Sequence, residues 1–380
     1  MNKRIDSIDI LRGMSIIGIL FMNIVGFHMN EVFTDPLVYF KSPLDQWLYK
    51  LNIIFIHNSF YPIFAFLFGF GLAIMAENIK GRGGNFIPVL YRRMAALLVF
   101  GLLHGFFLFY GDILNVYAVI GLVAIIFLLF PNIITLITAM ILIVLNMMRA
   151  LPSMFAIFMQ PDFFGKELVS FETSQNEWIK VMSSGNLSNI VQYNSDFFYQ
   201  GFAIINPGTT LSYFLTIMPF ILLGMYVKRA NLLKEITEHK VTMFVISFVF
   251  AFVGITLKYL MIAYEINVMA SYDFIYYGGV LLSISYIIWV TLLCEYPAVK
   301  KLFEPFQRMG KMSFTLYIMQ SLLMFIVFYV FRQYGQLSIA QVYLVALAIV
   351  LFQMIFTSIY FKKFKQGPLE WIWRKITYLK

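Results

Sequence analysis

The sequence predicts an all-α integral membrane protein that crosses the bilayer about ten times. Hydrophobic residues make up 61% of the 380 residues and charged residues only 12%, whereas soluble domains carry about 25% charged residues. Many windows of about 20 residues are almost wholly apolar, which is the length that a helix needs to cross a bilayer. The windows are apolar on every face and not at alternate positions, so helices are predicted rather than barrel strands.

Ten hydrophobic stretches are expected to form the membrane spans. They lie near 10–29, 52–76, 93–110, 113–130, 132–150, 208–227, 241–263, 275–294, 313–332 and 339–361. We therefore expect a five-span half over 1–150, a loop over 151–207, and a second five-span half with a tail over 208–380. The loop mixes proline, polar and aromatic residues, which predicts short amphipathic helices on the membrane surface. They either cover a cavity or shield the ends of spans.

The basic residues predict that both termini face the cytoplasm. Lysine and arginine collect in cytoplasmic loops, and with ten spans the main basic clusters all fall on one side. The clusters are Lys3 and Arg4; Lys80, Arg82, Arg92 and Arg93; Lys228, Arg229, Lys234 and Lys240; Lys300, Lys301, Arg308 and Lys311; and Lys362, Lys363, Lys365, Arg374 and Lys375. The net charge of +9 is therefore attributed to membrane orientation and not to nucleic-acid binding. The single cysteine, Cys294, excludes an intrachain disulfide.

The first span carries an arginine and an asparagine on one face. Arg12 and Asn23 are eleven residues apart, which is close to three helical turns and roughly 16 Å along the axis. An ionisable side chain within a span usually faces protein or a water-filled cavity. The alternative is that Arg12 lies at the membrane rim and extends to the headgroups. Asp9, one turn earlier, is a candidate ion partner for Arg12.

The third span and the turn after it supply candidates for proton transfer. His104 precedes Asp112 by eight residues, about 12 Å along a continuous helix, and Gly101 and Gly105 permit another backbone or a ligand to approach His104. His57 lies near the outer end of the second span. A histidine beside a carboxylate suits proton transfer, whereas Asp112 alone would serve as a helix cap. No HExxH motif or close ligand pair predicts a metal site.

Two further sets of residues are expected to face protein. Tyr317, Gln320 and Ser321 follow helical spacing and form one polar face of the ninth span. Gly69 and Gly71 are expected to pack closely against another helix. Such packing would serve either the fold of one chain or a homodimer.

Five stretches resemble the YeiB-like family of bacterial membrane proteins, whose C-terminal half is classed as a domain of unknown function. They are RIDSIDILRGMSIIGILFMNI, FAFLFGFGLAI, RRMAALLVFGLLHGFFLFYGDILNVYAVIG, GKMSFTLYIMQSLL and GPLEWIWRKITY. The family is distantly similar to a transmembrane acyltransferase superfamily that includes the acyltransferase-3 proteins and heparan-α-glucosaminide N-acetyltransferase. The resemblance implies an enzyme of the bacterial cytoplasmic membrane. It would move an acyl group, acetyl foremost, from cytoplasmic acyl-CoA to a glycan or small metabolite on the far side.

The resemblance also implies roles for individual residues. The acyltransferase-3 proteins carry an arginine, then ten residues, then a histidine in the first span. Here Arg12 matches the arginine, and Asn23 stands where those proteins have the histidine. The heparan enzyme also has asparagine at that point. An amide cannot act as a base, so Asn23 is expected to donate to an oxyanion and Arg12 to bind the donor. The catalytic candidates are His104, His57 and Asp112. The other substrate-binding candidates are Asn115, Tyr117 and Gln320.

A transporter is the alternative function, and a scaffold whose polar groups serve packing is a third. Intramembrane charges and two five-span halves suit a transporter, although the two halves share no convincing sequence repeat. Broken helices, which are typical of transporters, are few in this sequence, and Pro62 and Pro219 are the main candidates for breaks. Lys258 and Glu265, seven residues apart on one face, are a candidate ion pair.

Overall fold

The computed structural model describes residues 6–30, 36–159, 177–201, 206–264 and 271–379, and the regular secondary structure in these ranges is entirely helical. The helices are α1 (Asp6–His28), α2 (Pro36–Tyr39), α3 (Pro43–Phe55), α4 (Tyr61–Lys80), α5 (Phe86–Phe107), α6 (Leu114–Ala124), α7 (Asn132–Met159), α8 (Leu187–Gly201), α9 (Pro207–Thr216), α10 (Met218–Arg229), α11 (Leu232–Glu238), α12 (Lys240–Ala263), α13 (Tyr272–Leu293), α14 (Pro297–Leu302), α15 (Glu304–Lys311), α16 (Ser313–Phe325), α17 (Ile339–Tyr360) and α18 (Pro368–Tyr378). A 3₁₀ segment (Ile125–Leu128) extends α6, and a π-helical segment (Ile326–Val330) extends α16.

Nine helical segments within the described ranges are long and apolar enough to cross a bilayer. They are α1, α4, α5, Asn132–Ala156 of α7, Pro207–Arg229 over α9 and α10, α12, α13, Ser313–Val330 and α17. The predicted fourth span is shorter, because α6 and its 3₁₀ extension cover only Leu114–Leu128. The prediction of an all-α, multi-pass membrane protein is confirmed, and a lipid bilayer is its environment.

The short α6 brings the chain back to the end of the bundle where α4 and α10 finish. Arg229 at the end of α10 donates to the carbonyl oxygens of Phe127 and Phe130, at 3.3 and 2.9 Å. Beside it, Lys228 pairs with Glu77 near the end of α4, with Nζ and Oε2 2.6 Å apart. We call this the basic end of the bundle and the other the opposite end.

The predicted second span is broken into α3 and α4. Pro62 lies in the first turn of α4, where proline fits because the first amides of a helix have no partner within it. The span therefore begins at Tyr61 and not near Asn52. The connecting turn packs at span depth, because Phe60 covers Gly18 in the middle of α1 and the Asn58 backbone meets Gly279 of α13.

Lys258 of α12 satisfies the backbone of this turn. It is fully buried, and its ammonium donates to the His57 carbonyl oxygen at 2.6 Å and to the Ser59 hydroxyl at 2.8 Å. Exposed carbonyl groups are costly inside a bilayer, so a buried lysine here completes a helix end. Lys258 therefore has a structural partner within the fold, and Glu265, its predicted ion partner, lies outside the described residues.

The second proline candidate also marks a break. α9 ends at Thr216, and α10 begins at Met218 with Pro219 in its first turn. α10 then packs on α4 backbone to backbone, since a side chain at Gly69 would collide with the Ile221 carbonyl and one at Gly224 with the Phe66 carbonyl. The predicted role of Gly69 in close packing agrees with this contact.

α8 covers the turn between α5 and α6. The Asn194 amide donates to the Gly105 and Phe106 carbonyl oxygens, at 2.8 and 3.0 Å, and accepts from the Tyr110 backbone amide. These carbonyls belong to the last turn of α5, where no helical partner exists. This part of the predicted loop 151–207 thus shields a span end; its residues 160–176 and 202–205 lie outside the described ranges.

Candidate functional site

A cavity of about 1400 Å³ lies at the basic end of the bundle. Its α1 wall runs from Ile8 through Arg12 to Ile19, a distance of roughly 16 Å along a helix. At its deep end it reaches Tyr117 of α6 and Tyr317 of α16. The volume exceeds the range of about 300–1,000 Å³ typical of small-molecule pockets, so the cavity has room for an extended ligand.

The lining of this cavity is strongly basic. It includes nine basic side chains and three acidic ones. The basic residues are Arg12, Arg82, Arg93, Lys228, Arg229, Lys311, Lys365, Arg374 and Lys375. Two of the carboxylates are paired within the wall, Asp9 with Arg12 at 3.3 Å and Glu77 with Lys228 at 2.6 Å. A cleft with this excess of positive charge concentrates anionic ligands.

Close packing of α1 on α15 brings two of these cations into one wall. A side chain at Gly13 would collide with the Phe306 carbonyl, and one at Gly310 with the Asp9 carbonyl, so the two helices touch through their backbones. Arg12 directly precedes Gly13 in the sequence, and Lys311 directly follows Gly310. Both side chains line the cavity. Arg12 therefore lines the cavity, which is the first of the two placements that the sequence left open.

Gly71 lines the cavity instead of packing against a helix. Among the described residues, no atom from another part of the fold lies within 4 Å of the position that its side chain would occupy. Its absent side chain therefore leaves open space in the cavity. The two glycines that were predicted to pack closely against another helix thus have different positions: Gly69 contacts another helix, and Gly71 lines the cavity.

The C-terminal helix α18 forms another wall. The Arg93 guanidinium of α5 stacks on the Trp373 ring, 3.4 Å from its centroid, and the Trp373 indole donates to the Arg93 carbonyl oxygen at 2.9 Å. The Arg92 side chain donates to the Thr377 carbonyl oxygen at 3.1 Å. These contacts attach the tail of the chain to the third span at the basic end.

Glu370 joins α18 to the start of α16. One carboxylate oxygen accepts from the backbone amides of Phe314 and Thr315, at 2.8 and 3.1 Å, and the other accepts from the Thr315 hydroxyl. Glu370 therefore caps a helix 55 residues away in the sequence. Burial raises the pKa of the Glu370 carboxyl above its ordinary value.

The second group of interest lies beyond the deep end of the cavity. His104 Nδ1 and Asp112 Oδ1 are 2.7 Å apart, and both side chains are buried. The other Asp112 oxygen accepts from the Asn115 backbone amide and side-chain amide, each at 2.8 Å. Asp112 thus accepts from a first-turn amide of α6 and also pairs with His104, so a capping contact and a histidine partner occur together.

The axial separation of about 12 Å that a continuous helix would give between His104 and Asp112 does not apply in the structure. α5 ends at Phe107, and the chain turns back into α6. Gly101 permits the return, because a side chain there would collide with the Asn115 backbone. The turn converts a sequence separation of eight residues into a direct hydrogen bond.

One ring nitrogen of His104 is left without a hydrogen-bond partner within the described ranges. A carboxylate only accepts, so Nδ1 donates to Asp112 and Nε2 holds the lone pair. Nε2 is buried and unpaired, and His104 is 2% exposed. The His104 ring packs on Tyr317, with centroids 5.0 Å apart. Tyr317 therefore lies between the cavity and the His104–Asp112 pair.

Other predicted site residues lie elsewhere. Asn23 is outside the cavity lining, although it shares a helix with Arg12. The His57 carbonyl binds Lys258 in the broken span, and Gln320 donates to Gln353 of α17 at 3.0 Å. Tyr117 does line the cavity, and its hydroxyl donates to the Tyr61 carbonyl oxygen at 3.2 Å.

Several cavity residues had no predicted site role. Tyr317 was placed on a polar face of its span but not beside His104. Glu370 and Trp373 lie in GPLEWIWRKITY, whose mixture of aromatic and charged residues was one usable signal, whereas Arg93 was placed only in a basic cluster. That mixture indicates an amphipathic helix, but it does not reveal which part of the bundle the helix contacts.

Comparison with known proteins gives relatives over the full length of the chain. The family described as "Protein of unknown function (DUF418)" matches residues 227–380. Among curated proteins, "Uncharacterized protein YxaH" of Bacillus subtilis is 31% identical, over 100% of this chain and 95% of the relative. "Uncharacterized 39.9 kDa protein in amylase 3'region" of Bacillus acidopullulyticus is 27% identical over the same shares. "Uncharacterized protein YeiB" of Escherichia coli is 23% identical, over 98% and 95%. No solved structure matches the chain.

Proposed function

The chain belongs to the YeiB-like family of bacterial membrane proteins, and we propose that it is a membrane acyltransferase. Its donor is acetyl-CoA or another acyl-CoA from the cytoplasm, and its acceptor is a glycan or small metabolite on the far side of the cytoplasmic membrane. The observation that carries the proposal is the arrangement of a basic cavity that ends at Tyr317, directly against a histidine–aspartate pair.

The cavity suits the donor. Coenzyme A carries several phosphate groups, and arginine and lysine bind phosphate through charge-assisted hydrogen bonds. The basic end is proposed to face the cytoplasm, because lysine and arginine favour that side. Arg12 and Lys311 would then meet the phosphates, while the apolar walls around Ile19 and Phe68 would receive the acyl-bearing arm.

The histidine–aspartate pair suits the acceptor. His104 Nε2 would take the proton of an acceptor hydroxyl or amine as that atom bonds to the acyl carbon. The carbon–sulfur bond then breaks, and the proton passes from His104 to the thiolate of coenzyme A. Asp112 holds the imidazole in the required tautomer. Since His104 is buried, transfer requires the Tyr317 ring to move out of the wall.

Filling the cavity tests this proposal. Gly71→Phe places a ring in open space within the cavity, whereas Gly201→Phe places the same ring at the end of α8, where no described residue outside its own helix lies within 4 Å of the new Cβ either. The purified protein should bind acetyl-CoA in calorimetry and transfer a radiolabelled acetyl group to envelope glycans. Gly71→Phe should lose both, and Gly201→Phe should keep both. If the unaltered protein binds none of several acyl-CoA compounds that differ in the length of the acyl chain, the proposal is contradicted.

A transporter is the second candidate, and the two broken spans favour it. α3 and α4 separate over residues 56–60, just before Pro62, and α9 and α10 separate at Ile217, just before Pro219. α4 packs on α10 through Gly69 and Gly224. Substrate sites of secondary transporters are often built from such broken helices. Proteoliposomes distinguish the candidates: an acyltransferase modifies its acceptor with no net solute flux, whereas a transporter moves a solute without acyl-CoA.

A further inference from the structure

A second, smaller cavity lies where the last membrane span ends. It has a volume of about 550 Å³, and its lining includes Tyr360, Phe364, Lys365, Trp371 and Arg374. Tyr360 is the last residue of α17, and Trp371 and Arg374 lie on α18. The cavity is therefore located at the level at which the chain leaves the bilayer at the basic end.

The chemistry of this cavity is aromatic and cationic. Tyr360 and Phe364 stack with ring centroids 4.6 Å apart, and Phe364 and Trp371 are about half exposed. Lys365 and Arg374 supply positive charge, and the cavity lining includes no carboxylate among the residues that the structure describes. Aromatic rings and basic side chains together are typical of the headgroup region of a membrane.

The surroundings supply room for hydrocarbon. Ile355 and Ile359, on the last turns of α17, are each 62% exposed and lie on the surface of a membrane span. On α18, Ile372 and Ile376 are exposed while Trp373 is buried against the bundle. An amphipathic helix with exposed isoleucines lies with its apolar face in the acyl region of the interface.

We propose that this cavity binds the headgroup of an anionic phospholipid of the basic-end leaflet. Lys365 and Arg374 contact the phosphate, the aromatic rings pack around the glycerol, and the acyl chains follow α17 past Ile355 and Ile359. A lipid fits better than a free phosphate compound, because the cationic cavity continues into an apolar membrane-facing surface. Lys365, Trp371 and Arg374 also line the larger cavity, so the bound lipid lies at its edge.

Native mass spectrometry of the full-length protein in detergent tests this site. The probes are phosphatidylglycerol and phosphatidylcholine with the same acyl chains. The pocket variant is Lys365→Gln/Arg374→Gln, and the charge-matched control is Lys234→Gln/Lys301→Gln, two exposed lysines outside both cavities. Each basic residue near a membrane surface contributes about 1 kcal/mol to binding of anionic lipid, so the pocket variant should bind one phosphatidylglycerol about 30-fold more weakly.

The control variant should change that affinity by less than about twofold, because neither of its lysines lines the cavity. Lys365→Glu alone should remove the preference for phosphatidylglycerol over phosphatidylcholine. Equal weakening in the pocket and control variants would overturn the proposal, as would equal binding of the two lipids by the unaltered protein. Glycerol phosphate that binds as tightly as the lipid would show a site for a soluble phosphate compound, which also overturns it.

Discussion

Two carboxylates, the buried Asp112 and the partly buried Glu370, make different use of their oxygens. Asp112 binds His104, eight residues before it, and Asn115, three residues after it. Glu370 binds the first turn of α16, 55 and 56 residues away in the sequence. One carboxylate serves a local turn, and the other fastens the end of the chain to the bundle.

The two sites differ in whether a buried hydrogen-bonding atom is left without a partner. Around Glu370, both oxygens accept hydrogen bonds and the amides that they meet belong to a helix start. Around Asp112, the partner histidine keeps a buried ring nitrogen without a partner in the described part of the chain. A buried polar atom without a partner is costly, and such sites are often kept for chemistry. We therefore expect reaction chemistry at His104 and a structural role at Glu370.

The largest expected effect is that of His104→Gln. The glutamine amide can still donate to Asp112, so the turn between α5 and α6 should stay folded, but an amide cannot accept a proton in transfer. Acetyl transfer should fall by about 10²- to 10⁴-fold. Binding of acetyl-CoA should change by less than about twofold, because His104 is outside the cavity lining. Turnover assays and calorimetry on the same preparation measure the two quantities.

If His104→Gln lost acetyl-CoA binding to the same extent as acetyl transfer, the cavity and the His104–Asp112 pair would not have separate roles in binding and in reaction. Such a loss would show that the cavity and the His104–Asp112 pair form one structural unit. Gln320→Asn is a suitable control, because Gln320 is buried on α16, like Tyr317, but bonds to Gln353 of α17. It should leave both binding and turnover close to those of the unaltered protein.

The same comparison explains which features the sequence could predict. The fold class followed from composition and hydrophobic runs, and His104, Asp112 and Gly101 were identified because they lie within 15 residues of one another. The turn after the third span was predicted, but the direct contact was not, since α5 ends at Phe107 and the estimate of about 12 Å held only for a continuous helix. Glu370 and Trp373 could not be assigned, because their partners, Thr315 and Arg93, are distant in sequence. Only tertiary packing brings such residues together.

The next effect concerns the donor side. Arg12→Gln alone would leave the buried Asp9 carboxylate without its arginine, so the double variant Arg12→Gln/Asp9→Asn is preferable. A hydrogen bond to a charged group contributes about 1.5–3 kcal/mol, so the KM for acetyl-CoA should rise about 10- to 100-fold. The kcat at saturating donor should change less than threefold, because Arg12 binds donor and transition state alike.

A fall in kcat with no change in KM would place Arg12 with His104 in the chemical step and would remove the distinction between donor and reaction regions. Initial rates measured over a range of acetyl-CoA concentrations separate the two outcomes. Lys234→Gln, an exposed lysine that does not line the cavity, is the control for loss of positive charge at the basic end. It should leave both KM and kcat unchanged.

The smallest effect is expected at Glu370, and it depends on pH. Because the pKa of the Glu370 carboxyl is raised in the folded state above the ordinary 4.5, the docked α18 binds a proton more readily than the free helix. Its contribution to docking is full below pH 4.5 and is lost as the pH rises through the raised pKa.

Glu370→Gln should remove this pH dependence of docking, the pH slope, while keeping a hydrogen-bond acceptor. Glu370→Ala should weaken docking by about 1 kcal/mol. Hydrogen exchange of residues 368–378, corrected for the intrinsic rate at each pH, measures the opening of α18. An Ala variant with the pH slope of the unaltered protein would assign that slope to another group and leave Glu370 as a cap alone.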